Sequence, residues 1–101
     1  MRILVFFDLP VETAADRRNY TRFRKFLIKS GYMMLQKSVY CKLALNMTAA
    51  NASIESVRRN KPPDGFVSLL VITEKQYSRM EMIVGEFQSD VVSSDERLVV
   101  L

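Results

Sequence analysis

The sequence predicts an α+β fold in which two helices lie on one face of an antiparallel sheet. Two strongly apolar stretches, residues 2–8 and 66–73, have the length and continuity of buried strands. Two longer segments, about 14–30 and 49–60, begin with capping residues and read as helices. A further strand-like segment, 32–45, separates them. These elements give the order β-α-β(β)-α-β, which packs both helices against one sheet.

The first strand is predicted at residues 2–8 because it contains five consecutive apolar side chains. Pro10 ends this strand, since proline has no N–H to donate to a sheet. Thr13 to Asp16 then have the cap-then-acid spacing of a helix start. A helix is therefore expected from about Ala14 to Ser30, closed by Gly31.

Residues 32–45 mix apolar and polar positions as a half-buried sheet does. Two arrangements fit this segment: two short strands with a tight turn near Lys37 and Ser38, or one bulged strand. Thr48 is expected to cap a second helix, from about Ala49 to Asn60, which the turn KPPDG ends.

The strand at 66–73 runs into a second capping box, Thr73 to Gln76, which predicts a short helix to about Met82. Some strand is expected near 82–87 in an otherwise polar segment. The terminal stretch ERLVVL is predicted to be one more strand.

The chain has 101 residues and is 49% hydrophobic, which suits one core and is too short for two ordinary domains. We therefore expect a single ferredoxin-like domain over residues 1–101, a βαββαβ sandwich with an additional C-terminal strand. Residues from about 86 to 101 would form its C-terminal extension.

Charge is distributed unevenly along the chain. Residues 1–61 hold 12 Lys/Arg and 4 Asp/Glu, a net charge of +8, whereas residues 62–101 hold 3 and 7, a net charge of −4. A polyanionic partner would therefore meet the first part of the chain.

Composition excludes several kinds of site. The chain has no histidine, which excludes Ser-His triads, Cys-His dyads and histidine-rich zinc sites. Its single cysteine, Cys41, rules out an internal disulfide and fits a reducing compartment. No apolar run approaches the roughly 18 residues that span a bilayer, and no signal-peptide cleavage pattern follows the first strand. We expect a cytoplasmic protein with no membrane partner.

The first predicted helix carries a basic stripe. Its members, spaced i, i+4, i+7 and i+11 and so within roughly 60° of arc, are Arg18, Arg22, Lys25 and Lys29. A solvated helix face would also be basic, but a merely solubilising face usually includes carboxylates in i,i+4 pairs, and this one has none. The stripe therefore favours binding to nucleic-acid phosphates. The predicted backbone contacts are Arg17, Arg18, Arg22 and Lys25, with Arg58 and Arg59 as a second patch at the end of the second helix.

Asp8 stands at the exit of the most apolar strand, where two interpretations are open. Its carboxylate would accept backbone N–H groups of the turn at residues 11–13, or it would bind a metal ion. A single carboxylate is too little for a divalent cation site, but a homodimer with its two-fold axis near this strand end would place two Asp8 side chains on one cation. That cation would activate water and neutralise charge on a phosphodiester without any histidine.

The remaining aromatic and sulfur-containing side chains are expected to be core rather than functional, because no RNA-recognition aromatic pattern is present. They are Phe6, Phe7, Phe66, Met33, Met34, Met47 and Cys41.

Together, these features resemble the CRISPR-associated protein 2 family over essentially the whole chain. The resemblance rests on FFDLP after the first strand, on the Arg-rich helix DRRNYTRFRKFL ending in SGY, and on QKSVY. TEKQYSRM and the terminal SSDERLVVL are similar to the shorter branch that accompanies type II systems. The order and spacing of these motifs carry the resemblance.

The resemblance implies a ferredoxin-like homodimer whose last strand crosses to the partner's sheet. It also implies duplex DNA binding and the bridging of two dimers of the integrase, CRISPR-associated protein 1, during spacer acquisition. Some members are described as metal-dependent endonucleases on RNA or duplex DNA, which implies Asp8 as catalytic residue and ligand of Mg²⁺ or Mn²⁺. Many relatives have a Glu where this chain has Cys41, which removes an accessory carboxylate.

Three functional hypotheses follow. The first is a homodimeric scaffold that binds duplex DNA at the centre of a spacer-integration complex. The second is a Mg²⁺-dependent endonuclease in which paired Asp8 residues hold the cation and Ser38 helps to position phosphate. The third is a ferredoxin-like dimer that binds a small regulator, which predicts no salt-sensitive affinity for DNA.

Overall fold

The computed structural model describes residues 1–86. Their strands are β1 (Arg2–Asp8), β2 (Met33–Gln36), β3 (Val39–Leu43) and β4 (Phe66–Ile72), and their helices are α1 (Ala14–Lys29), α2 (Met47–Arg59) and α3 (Glu74–Ser78). The strands form one antiparallel sheet in the order β2-β3-β1-β4. The predicted α+β, ferredoxin-like fold class is confirmed. The predicted terminal strand and its exchange with a partner lie outside the described residues.

Strand β1 lies between β3 and β4 and has two different faces. Ile3, Val5 and Phe7 are buried in the core cluster that includes residues of α1 and α2. Because side chains alternate along a strand, Phe6 and Asp8 lie on the opposite side of the sheet. We call that side the open face, since α1 and α2 do not cover it.

Helix α1 packs on the sheet through aromatic contacts. Phe23 and Leu27 are buried. The ring centroid of Phe7 lies 5.3 Å from that of Phe23 and 5.6 Å from that of Tyr40. Edge-to-face and tilted ring pairs add to the stabilisation that burial alone provides. This packing directs the basic stripe of α1 outward.

The predicted capping box of α1 is confirmed. The Oγ1 atom of Thr13 accepts a hydrogen bond of 3.0 Å from the N–H of Asp16, whose Oδ2 accepts one of 3.2 Å from the N–H of Thr13. Helix α1 ends at Lys29, and Gly31 follows with a φ of 95°, a conformation that suits glycine. Within residues 1–86, no helix has both the length and the apolarity needed to cross a bilayer.

The predicted start of α2 is wrong by two residues. Asn46, rather than Thr48, is the N-cap, and its Oδ1 accepts a hydrogen bond of 2.8 Å from the N–H of Ala49. Asn and Thr are both favoured at this position, so residue type does not distinguish them. The extended backbone of Asn46 decides the start, and Thr48 lies in the first turn.

Segment 32–45 contains a hairpin. Strands β2 and β3 are joined at Lys37 and Ser38, as in the two-strand arrangement. The pairing changes register between Met34 and Gln36, so β2 also contains a local irregularity. This hairpin places Cys41 opposite Leu4 of β1.

Helix α3 is shorter than predicted. Its capping box is confirmed, since Thr73 and Gln76 exchange hydrogen bonds of 2.9 and 3.0 Å. The helix ends at Ser78 rather than Met82 because the N–H groups of Arg79 and Met80 bond to carbonyls three residues back, which tightens the last turn. Residues 82–86 contain no strand, which corrects that expectation for the described part of 82–87.

Several side chains predicted to be core are exposed. Phe6 is 36% exposed and Phe66 77% exposed, because both lie on the open face. Met34 and Met47 are also exposed, whereas Cys41 is buried as predicted. An apolar strand residue does not reveal from its type which face of the sheet another layer covers.

Candidate functional site

Asp8 is the last residue of β1, and its side chain is exposed on the open face. Its partner across the sheet is Phe66 of β4. Among residues 1–86, the Asp8 carboxylate forms no hydrogen bond or ion pair. The described residues therefore do not support the turn-capping interpretation of Asp8. Within this part of the chain, both carboxylate oxygens are available to a ligand.

Gly65 packs directly against the backbone that carries Asp8. Its φ is 88°, and a Cβ at this position would lie 2.7 Å from the carbonyl oxygen of Asp8 and 2.8 Å from Cδ2 of Leu9. Real Cβ atoms do not approach backbone this closely, so a side chain here would displace the end of β1. Gly65 thus positions Asp8. The sequence shows Gly65 only as the last residue of the KPPDG turn.

Arg17 holds the loop that follows Asp8. Its Nη1 donates hydrogen bonds of 3.2 and 3.1 Å to the carbonyl oxygens of Val11 and Glu12. The side chain is nevertheless exposed, and a guanidinium has five N–H donors. Contact with a phosphate is compatible with this arrangement, and the loop anchor is a role that the sequence did not indicate.

Ser38 lies at the same end of the sheet as Asp8. Its carbonyl oxygen accepts a hydrogen bond of 3.1 Å from the N–H of Phe7, the residue before Asp8. The side chain is half-buried. The fold thus brings Ser38, Asp8 and Gly65 together from three separate segments.

The open face near Asp8 is apolar and only partly covered. Phe6, Leu70 and Phe66 are 36%, 52% and 77% exposed. Farther from Asp8, Leu4 and Cys41 are buried beneath a layer that includes Tyr77 and Met80. Residues in α3 and just after it therefore cover the end of the open face that is far from Asp8. The described residues leave the Asp8 end of this face exposed.

Cys41 lies away from Asp8. It pairs across the sheet with Leu4, four residues before Asp8, which corresponds to about 13 Å along the strand. Burial raises the pKa of the Cys41 thiol, and the nearby Arg2 guanidinium opposes that shift. A Glu at position 41 would therefore not reach Asp8 of the same protomer. Having Cys rather than Glu at this position removes no ligand from a site around Asp8 within one protomer.

One protomer supplies a single carboxylate at this position. In the described part of the chain, no three His, Cys, Asp or Glu side chains are grouped so that they could hold a metal ion. A lone exposed carboxylate still fits Mg²⁺, which commonly binds through one or two carboxylates and completes its shell with waters and phosphate oxygens. A second copy of Asp8 would supply the other carboxylate.

The basic stripe of α1 is exposed along its whole length, as predicted; its members are Arg18, Arg22, Lys25 and Lys29. Arg22 donates a long hydrogen bond of 3.5 Å to Asn19. Within residues 1–86, no stripe cation forms a salt bridge. Four unneutralised cations on one helix face are suited to a line of phosphates.

The second predicted patch is partly neutralised. The carboxylate of Glu55 lies 3.1 Å from Arg58 and 3.9 Å from Arg59. Both arginines are exposed, so the pairing is weak and labile. This patch is weaker in net charge than the stripe.

A family model described as CRISPR associated protein Cas2 matches residues 1–80. The chain belongs to the Cas2 family. A relative from Treponema denticola, named CRISPR-associated endoribonuclease Cas2, is 56% identical over 101 residues, which are 100% of this chain and 100% of that protein. A Streptococcus mutans relative of the same name is 46% identical over 101 residues, which are 100% of this chain and 93% of that protein.

The fold of this Cas2-family chain is also found in a solved structure. The crystal structure of Streptococcus pyogenes Cas2 matches with a TM-score of 0.62 and 18% identity, over 83% of this chain and 100% of that chain. At this identity the match supports the fold alone. The family resemblance drawn from FFDLP, the first helix and QKSVY is confirmed.

The Cas2 fold does not bring all the predicted site residues together in one protomer. Asp8 and Ser38 lie at one end of the sheet, with Asp8 on the open face. The stripe lies on α1, which packs on the opposite side of the sheet. Catalytic and phosphate-binding candidates therefore occupy different faces of one protomer.

Proposed function

We propose that this Cas2-family chain acts in CRISPR adaptation as a homodimer that binds duplex nucleic acid and hydrolyses phosphodiester bonds with Mg²⁺ or Mn²⁺. The observation that carries the proposal is the Asp8 carboxylate, which is exposed and has no hydrogen bond or ion pair among residues 1–86. In this proposal the homodimer also bridges dimers of CRISPR-associated protein 1 during spacer acquisition. This part of the proposal rests on family membership.

The proposed homodimer uses the open face. Phe6, Leu70 and Phe66 expose apolar surface on this face close to Asp8. A second copy would bury that surface, which is favourable by about 25 cal/mol for each Å² removed from water. A two-fold axis near the end of β1 would bring the two Asp8 carboxylates together.

The residues around Asp8 have separate roles in the proposed reaction. The paired carboxylates hold the cation, which when bound neutralises phosphate charge and lowers the pKa of water. Gly65 packs against the backbone of Asp8 and Leu9, and Arg17 anchors the loop that follows. Ser38, at the same end of the sheet, is the candidate for positioning the phosphate.

The substrate of the proposed cleavage is a nucleic acid. The names of the two relatives, CRISPR-associated endoribonuclease Cas2, favour RNA as the cleaved strand. The basic stripe of α1 supports phosphate contacts without base selection, as expected for a protein that also binds duplex DNA.

Cleavage of labelled single-stranded RNA and duplex DNA tests this proposal. We expect cutting in Mg²⁺ that EDTA abolishes and that Asp8→Asn lowers at least about 100-fold, because it removes the charged ligand. Asp64→Asn is the matched control, since Asp64 is exposed and its Oδ1 accepts a hydrogen bond from Gly65 that an amide oxygen can retain. Equal loss in both variants, or cutting that survives Asp8→Asn, would reject Asp8 as the catalytic ligand.

A second candidate function is a DNA-binding scaffold without catalysis. It is favoured by the position of the stripe, which lies on the opposite side of the sheet from Asp8. If the wild-type protein binds duplex DNA but cuts neither substrate, the scaffold function is the correct one.

A further inference from the structure

A pocket lies between α1, β3 and α2, away from Asp8 and outside the predicted stripe. It has a volume of about 280 Å³ and is lined by Ser30, Tyr32, Lys42, Ala52, Ser53 and Ser56. Since a water molecule occupies about 30 Å³ in the liquid, the pocket has room for a small ion and several waters. Three serine hydroxyl groups and an ammonium in one pocket indicate an anion as the ligand.

Among residues 1–86, the ammonium group of this pocket has no carboxylate counterion. Lys42 is half-buried, and its Nζ donates a hydrogen bond of 3.1 Å to Oγ of Ser53 and lies 5.6 Å from the ring centroid of Tyr32. In residues 1–86, no carboxylate lies within salt-bridge distance of Lys42. Glu55 of α2 is paired with Arg58 and Arg59 instead. A partly desolvated ammonium with the neutral partners Ser53 and Tyr32 is ready to bind an anion.

The hydroxyl groups converge from two elements. Ser53 and Ser56 are three residues apart on α2, so they lie on the same helix face. Ser30 is the C-cap residue of α1. Within the described residues, the side chains of Ser30 and Ser56 form no hydrogen bond, and both are half-buried. Each hydroxyl can therefore donate to an oxygen of a bound anion.

The C-terminus of α1, which carries partial negative charge, does not prevent anion binding here. The carbonyl oxygens of Phe26 and Leu27 accept hydrogen bonds from the N–H of Ser30, and that of Leu27 also accepts one from Tyr32. The carbonyl oxygen of Ile28 accepts from Gly31. These bonds satisfy three of the four carbonyl groups that generate the negative end of the dipole, those of Phe26, Leu27 and Ile28.

We propose that the pocket formed by Ser30, Lys42, Ser53 and Ser56 binds a phosphate group. Phosphate presents several strong acceptor oxygens to these hydroxyls, and Lys42 supplies a point charge. The source is either a small phosphate-bearing molecule or the backbone of a nucleic acid, and only the second source rests on the proposed function. Lys29, the last member of the stripe, directly precedes Ser30, so a backbone that follows the stripe would arrive at this pocket.

Titration with inorganic phosphate at constant ionic strength, followed by amide NMR shifts, tests the pocket itself. We expect saturable shifts at Ser30, Ser53 and Ser56, and an apparent Kd at least about tenfold higher in Lys42→Met. Lys75→Met removes the same charge from exposed α3 and should bind like the wild type. Ser56→Ala, which breaks no side-chain hydrogen bond within residues 1–86, should also weaken binding. Absence of saturable shifts, or equal Kd values in wild type and Lys42→Met, overturns the proposal.

Duplex DNA binding across a salt series identifies the source of the phosphate. If it belongs to a nucleic acid, Lys42→Met should lower the slope of log K against log salt by about one, while Lys75→Met leaves it unchanged. An unchanged slope in Lys42→Met, with phosphate titrating normally, assigns the pocket to a small phosphate-bearing molecule. A wild type that binds phosphate but no duplex would refute the proposed nucleic-acid function and leave the pocket assignment intact.

Discussion

At the scale of single residues, Asp8 depends on a glycine that is distant in sequence. Gly65→Ala would combine a positive φ with a Cβ 2.7 Å from the Asp8 carbonyl oxygen. We expect a loss of about 2–5 kcal/mol in the free energy of unfolding, measured by urea denaturation. Gly85→Ala is the control, since Gly85 has a φ of 92° and, among residues 1–86, no atom lies within 4 Å of the added Cβ. Its loss should be about 1 kcal/mol, and equal losses would contradict the close-contact argument.

Tyr32 carries a buried hydroxyl that has no hydrogen-bond partner among residues 1–86. An unsatisfied buried polar group costs about 1–3 kcal/mol. We therefore expect Tyr32→Phe to stabilise the protein by about 1 kcal/mol at neutral pH. Tyr40→Phe is the contrasting variant, because the Tyr40 hydroxyl accepts a hydrogen bond of 3.1 Å from Arg24. It should destabilise by about 1 kcal/mol, and a loss of stability in Tyr32→Phe would contradict the assignment.

The same hydroxyl predicts a dependence of stability on pH. Burial, with a smaller contribution from Cys41, raises the pKa of Tyr32 from 10.0 to about 12. The unfolded chain therefore releases this proton at a lower pH than the folded chain does, so the contribution to stability is complete below pH 10 and falls as pH rises toward 12. Unfolding measured between pH 9 and about 12 should show a steeper decline in wild type than in Tyr32→Phe. Parallel declines would refute the shift.

At the scale of elements, α1 has one face for the core and one for a ligand. Replacing Arg18 and Arg22 with Ala should lower the slope of log K against log salt for a duplex by about two, since each phosphate contact contributes about 0.9. Lys75→Ala with Arg79→Ala removes the same charge from exposed positions at α3 and should leave the slope unchanged. Equal slopes in both double variants would show that net charge, rather than the stripe, drives binding.

Elements with strong local signals were predictable. The capping boxes at Thr13 and Thr73 and the apolar runs of β1 and β4 determine their own starts, because the interactions involve neighbours in sequence. The start of α2 was not predictable, because Asn46 and Thr48 are both suitable capping residues. The end of α3 was not predictable either, because a tightened turn ends this helix at Ser78.

At the scale of the whole molecule, the apolar open face predicts association. Light scattering at about 10 µM should give a mass near twice 11.7 kDa for the wild type. Leu70→Lys should shift this mass toward the monomer, since it would bury an unpaired charge in the proposed interface. Leu45→Lys is the control, because Leu45 is 90% exposed in the loop between β3 and α2. A monomeric wild type would remove the basis for a shared cation.

The sequence by itself determined the fold class, the order of elements, the outward basic stripe and the family, because periodicity, caps and motif spacing are local properties. Only the tertiary structure decided which apolar side chains face the core. Phe6 and Phe66 are exposed beside Asp8 because strand pairing, not residue type, assigns each position to a face of the sheet.

The tertiary structure also decided which distant residues meet. Gly65 packs against the backbone of Asp8, although the two residues are 57 positions apart in the sequence. Lys42 contacts Ser53 because β3 and α2 pack together. Such contacts depend on the path of the chain through space. Short-range patterns in the sequence do not specify that path. The stripe and the carboxylate, both visible in the sequence, are separated by the sheet for the same reason.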